Sequence, residues 1–146
     1  MKRVTRAMPG STWSRTMSSV RALVAGHGTF ADGMLSAVEQ ITGRTDLFLG
    51  VTNHDLSAAD VEALMRERLD STGAAVIFTD LPAGSCTMAA RRIQRERPGL
   101  AVVTGVNLAT LLDFAFHDDA GDIHAVEHAA DKGRASLVVT GGPRGA

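Results

Sequence analysis

Four times between Val20 and His117 the sequence passes from a short apolar run to a stretch of helical periodicity, and that alternation leaves few folds open. The pairs are VRALVAG then TFADGMLSAVEQITG, DLFLGVT then SAADVEALMRERLD, AAVIFTD then GSCTMAARRIQRER, and LAVVTGV then NLATLLDFAFH. Each reads as a βα unit. Ser57 with Asp60 three residues on resembles a capping box at the second helix, while Gly43 and the Pro98-Gly99 pair close the first and third. Met34, Leu35, Val38 and Ile41, like Leu111, Leu112, Phe114 and Phe116, recur at helical spacing and read as core faces. A further helix is expected near Ile123 to Lys132, and ASLVVTG at 135 to 141 has the β-branched content of a last strand. Apolar strands separated by helices imply right-handed crossovers and a parallel sheet covered on both sides. The expected fold class is therefore α/β: a small doubly wound, mostly parallel sheet, strand order 2-1-3-4 plus a C-terminal strand, with helices on both faces.

At 146 residues the chain suits one domain with one core, and its 45% hydrophobic and 21% charged residues exclude disorder as the main state. The longest apolar runs, Ala22 to Ala25 and Ala74 to Phe78, are strand-sized, which argues against membrane insertion. A lone Cys86 permits no intrachain disulfide and no thiolate-rich zinc site, so a reducing cytoplasm is expected. Lys2, Arg3, Arg6 and Arg15 sit in an acid-free segment, leaving 11 basic residues against 16 acids afterwards. A body so acidic is a poor match for nucleic acid. Arg91, Arg92, Arg95 and Arg97 are the local exception and read as a solvated helix face. Residues 1 to 19 lack apolar periodicity and are expected to be a disordered leader or cloning remnant, with one domain over 20 to 146.

Doubly wound sheets bind ligands beyond the carboxyl ends of the strands, where the winding reverses. After the first strand stands Ala25-Gly26-His27-Gly28-Thr29, an imidazole between glycines at the entrance to a helix. The free N–H groups and positive dipole end there favour an anion such as phosphate. After the third strand comes Thr79-Asp80-Leu81-Pro82-Ala83-Gly84-Ser85. In a 2-1-3-4 sheet these two strands are neighbours, so Asp80 comes beside His27. A carboxylate on one ring nitrogen fixes the tautomer and presents the other nitrogen as a nucleophile. Ser85 lacks the G-x-S-x-G elbow and suits phosphate contact or N-capping rather than serine hydrolysis.

With these residues the sequence resembles the mannose-type enzyme IIA components of the bacterial sugar phosphotransferase system, over about residues 20 to 140. The matching features are Gly26-His27-Gly28, Asp80 and Gly84-Ser85 of a D-x-x-G-G-S-P-x-N-A-A-like segment, and Gly105-Val106-Asn107-Leu108. The resemblance implies a phosphocarrier in which His27 takes a phosphoryl group from HPr and passes it to a separate IIB component, with Asp80 as hydrogen-bonding partner. Gly28, Thr29, Gly84 and Ser85 would hold the phosphoryl oxygens, without metal or cofactor. It also implies a cytoplasmic homodimer whose interface takes in the C-terminal strand. Ala83, Cys86 and Met88 replace the family's usual glycine, proline and asparagine, in the loop that meets partners.

Three rival readings come from shorter patterns. Gly26-x-Gly28-x-x-Ala31 fits a dinucleotide-binding fingerprint, the alternative being a small Rossmann-like module, although Asp55 falls late for its acidic residue. His124-Ala125-Val126-Glu127-His128 matches H-x-x-E-H, yet no downstream Glu follows, and a polar surface helix is expected. Cys86 near a helix start raises the question of a thiolate, against the commoner inert cysteine. His54 and His117 read as surface or loop residues.

Overall fold

The computed structural model describes residues 19–117 and 122–143. The expected leader lies outside them except for Ser19, whose hydroxyl donates to the main-chain oxygen of Asp46. Four strands, β1 (Ala22–Gly26), β2 (Phe48–Thr52), β3 (Val76–Thr79) and β4 (Ala101–Val103), alternate with helices α1 (Phe30–Thr42), α2 (Ala58–Thr72), α3 (Ser85–Glu96) and α4 (Leu108–Phe116), and α5 (Asp122–Ala135) follows. The sheet is parallel throughout, in the order β2-β1-β3-β4. β1 lies at its centre, with Ala25 paired to Val51 on one side and Thr79 on the other.

Strand alternation divides the core in two. Ala22, Val24, Val76 and Phe78 face α1, α4 and α5, whereas Leu23, Ala25 and Ile77 face α2 and α3. Both faces of β1 are covered, which is why its sequence reads as a continuous apolar run rather than an alternating one. Phe48, Phe78 and Phe114 meet on the first face, with centroids 5.2 to 6.3 Å apart. Such rings contribute about 1.5–3 kcal/mol each by burial.

The helix boundaries follow their local chemistry. Ser57 Oγ accepts the Asp60 N–H at 3.1 Å and starts α2, and Gly43 closes α1 by donating its N–H to the Glu39 carbonyl. α3 stops at Glu96, just ahead of Pro98-Gly99. Asn107 starts α4 through its side-chain oxygen, which accepts from Thr110 N–H, while its amide donates to the Gly133 carbonyl of α5. Gly133 is held against Thr110 and Asn107 so closely that a Cβ would collide with both. Thus Gly105-Val106-Asn107 is a joint between α4 and α5.

Three expectations fail. The segment 135–141 forms no strand: Ala135 ends α5, the rest is irregular, and Leu137, Val138 and Val139 stand 84, 68 and 89% exposed. β-branched content favours a strand only when a neighbouring strand and a packed face are available, and among the described residues the segment has neither. Ile41 and Phe116, expected in the core, are 56 and 65% exposed, because each lies at the last turn of its helix where the core-facing stripe leaves the sheet. Among the described residues, no helix is long and apolar enough to cross a membrane.

Candidate functional site

The winding reverses between β1 and β3, and the site is built there. β1 ends at Gly26, three residues turn, and α1 begins at Phe30, whose N–H donates to the His27 carbonyl. His27 therefore stands at the strand's carboxyl end with its side chain 52% exposed. Asp80 follows β3 directly, its side chain only 11% exposed. One oxygen, Asp80 Oδ2, accepts from the His27 main-chain N–H at 2.9 Å and lies 2.8 Å from His27 Nδ1. The other carboxylate oxygen is buried without a hydrogen-bond partner among the described residues.

Burial by itself would raise the Asp80 carboxyl, but the ring and main-chain N–H of His27 outweigh it and hold the group below its usual value. Asp80 is therefore a carboxylate near neutrality, able only to accept. It places the proton on Nδ1 and leaves Nε2 with its lone pair in the crevice.

Two glycines make room for this pair. A Cβ at Gly26 would lie 2.9 Å from Asp80 Oδ2 and 2.6 Å from the Phe30 ring. A Cβ at Gly84 would lie 3.0 Å from His27 Cε1 and 3.6 Å from Nε2, and Gly84 also holds a φ of 118°, which L side chains rarely adopt. Backbone thus approaches the Cε1–Nε2 edge of the ring directly. Gly84 is also the N-cap of α3, so the first-turn N–H groups of that helix begin beside the imidazole. α1 starts on the other side, capped by Thr29 with no side-chain hydrogen bond, so the Thr29 hydroxyl is not committed to its helix.

The structure brings His27, Asp80 and Gly84 into direct contact, with Gly28 and Thr29 on the adjoining turn. Ser85 opens α3 and its Oγ accepts from Asn53 Nδ2 at 2.9 Å. Asn53 escaped the sequence reading, although β2 pairs with β1 and the loop after it shares the same rim. At the end of β2 Thr52 Oγ1 donates to the Gly28 carbonyl at 2.8 Å, tying the histidine turn to that strand. Cys86 is buried beneath the site, where desolvation first, and the Asp80 charge second, push its thiol up to about 11. It is an inert core residue, not a thiolate. Asp55, the acidic residue of the dinucleotide alternative, is exposed and pairs with His54 rather than reaching the His27 turn.

The EIIA-man family model, described as PTS system fructose IIA component, matches residues 21–130. Among curated proteins, none matches the sequence. Three solved structures share the fold. The phosphotransferase system component EIIA from Streptococcus agalactiae has a TM-score of 0.75 at 20% identity, covering 82% of this chain and 96% of that one. The mannose/sorbose specific IIA subunit from Enterococcus faecalis gives 0.73 at 19%, with coverages of 86% and 97%. The PTS IIA protein associated with the fucose utilization operon of Streptococcus pneumoniae gives 0.70 at 25%, with coverages of 84% and 96%.

Proposed function

The chain belongs to the EIIA-man family of phosphotransferase-system IIA components, and from that premise we propose that His27 Nε2 carries the phosphoryl group while Asp80 orients and charge-balances the ring. Membership makes the chain a phosphocarrier with HPr and IIB components as its exchange partners, and it disfavours the dinucleotide reading. The observation that carries the residue assignment is the 2.8 Å contact between Nδ1 and Asp80 Oδ2 beneath a half-exposed ring.

The chemistry follows from this geometry. The Nε2 lone pair attacks the phosphorus of the donor's phosphohistidine, the new N–P bond forms as the donor's N–P bond breaks, and the electron pair returns to the donor imidazole. The His27 ring gains positive charge as it gives up that lone pair. Asp80, already ionised against Nδ1–H, stabilises this charge with no proton transfer. The phosphoryl oxygens would be met by first-turn N–H groups of α1 and α3, with Gly28 and Gly84 keeping side chains away and Thr29 and Ser85 supplying hydroxyls. Nothing in this scheme requires a metal or cofactor. Transfer to the IIB component is the same displacement in reverse.

The same reading takes residues 20 to 146 as one cytoplasmic IIA domain that pairs with a second copy. Support for pairing comes from β4, which is an edge strand, and from a cleft of about 490 Å³ beside it lined by Val102, Val103, Val126, Gly133 and Leu137. The exposed Leu137, Val138 and Val139 leave that cleft as an apolar strap. Sedimentation should find a dimer that Val139→Asp shifts toward monomer.

The deciding experiment is incubation with phosphoenolpyruvate, enzyme I and HPr, followed by intact mass. Wild type should gain one acid-labile phosphoryl group, about 80 Da, and His27→Ala none. Equal labelling of both proteins, or no labelling of wild type by competent upstream proteins, overturns the assignment.

A further inference from the structure

A second group of chemistry-bearing side chains lies at the other end of the domain. α4 leaves the rim at Asn107 and runs back along the sheet, so its last turn sits near the start of β1. There Arg21 stacks over Phe114 at 4.4 Å and bonds Asp122 of α5 at 2.8 Å. On the side of this turn that faces α5, Asp113 is 9% exposed and His128 Nδ1 lies 2.6 Å from its Oδ2. His117 Nδ1 lies 2.8 Å from the main-chain oxygen of Asp113 and 3.6 Å from its Oδ1. The two imidazoles stand with centroids 4.4 Å apart. One ligand atom from each of the three residues falls within 4.8 Å of the others, and no other set of His, Cys, Asp and Glu among the described residues does so.

We propose that Asp113, His117 and His128 bind one divalent transition-metal ion of the zinc class, clamping α4 to α5. Two imidazoles and one carboxylate are the donor set such ions prefer, and the 4.8 Å spread of the ligand atoms has to close only to the roughly 3.4 Å that separates donors around a tetrahedral ion with bonds of about 2.0–2.2 Å. The His117 Nδ1–H bond to a main-chain carbonyl is the kind of outer contact that fixes a tautomer and leaves Nε2 free for a metal. The carboxylate is held in place by packing, and both imidazoles are half exposed, which gives an ion a route in. The C-terminal end of α4 adds its negative dipole end, which favours a cation. Water completes the coordination. Of the H-x-x-E-H run, only His128 takes part, joined to two residues of another helix and not to His124.

The test uses the full chain after chelator treatment, titrated with Zn²⁺ against a chromophoric chelator and with Co²⁺ for its visible ligand-field bands. Wild type should bind one ion per chain and melt at a higher temperature with it. His117→Gln and His128→Gln should each weaken binding about tenfold or more, and the double variant should lose both saturable binding and the melting shift. His128 partners the buried Asp113 carboxylate, so each variant's melting shift with metal is read against its own metal-free melting temperature. His124→Ala and His27→Ala should bind as wild type. Undiminished binding by the double variant, loss of binding in His124→Ala or His27→Ala, or no saturable binding by wild type each overturns the proposal. None of these outcomes touches the phosphocarrier assignment, which the labelling experiment decides separately.

Discussion

The protein carries the same pair of side chains twice, at opposite ends of one sheet. His27 with Asp80 and His128 with Asp113 have nearly equal separations, 2.8 and 2.6 Å, and nearly equal exposures, 52 and 11% against 51 and 9%. Their surroundings differ in sign. Around His27 stand glycine backbone and two helix N-termini, which favour an anion. Around His128 stand a second imidazole and a helix C-terminus, which favour a cation. A histidine–aspartate pair thus selects no sign of ligand by itself, and the backbone and side chains around it set which sign each end attracts.

The comparison breaks first on His27→Ala, the change of largest effect. It should abolish phosphorylation completely, with the His128 pair unable to substitute, whereas His128→Ala should leave labelling by HPr at the wild-type rate. Asp80→Asn should come next, slowing the labelling rate by about ten- to a hundredfold because the ring loses its fixed, charge-balancing partner. Asp113→Asn should leave that rate alone. Gly84→Ala should lower stability by about 1–3 kcal/mol through its positive φ and crowd the His27 ring as well, read as a lower melting temperature together with slower labelling.

The smallest expected effect is in acid. The Asp80 carboxyl lies below its usual 3.8 in the folded protein, so the stability its pairing contributes is present above that value. It is lost as pH falls through the lower, folded-state value. An acid titration of the melting temperature should show this component in wild type, and its absence in Asp80→Asn would sharpen the assignment. Persistence of the full wild-type slope in that variant would remove it.

Much of this was legible in sequence because the constraints are local. Four apolar runs of strand length separated by helical patterns admit few arrangements, and the reversal point of such a sheet directs attention to the residues just after the strands. His27 and Asp80 both occupy such positions, so a sequence separation of 53 did not hide their meeting. What escaped depended on contacts that local pattern does not encode. Residues 135–141 have strand composition without a strand partner among the described residues. Asn53 reaches Ser85 only because two loops share a rim. His117 gains its neighbours through the packing of α4 on α5, while the visible H-x-x-E-H run pointed along a single helix instead.

The doubly loaded oxygen of Asp80 has a mechanical meaning. Because Oδ2 anchors both the imidazole and the main chain of the same residue, ring orientation and turn conformation share one fastening. A docking partner that disturbs the carboxylate loosens both together, and one that leaves it alone finds both set. On the proposed assignment the histidine would behave as a latch with a single pin: freeing the carboxylate would release ring and turn together.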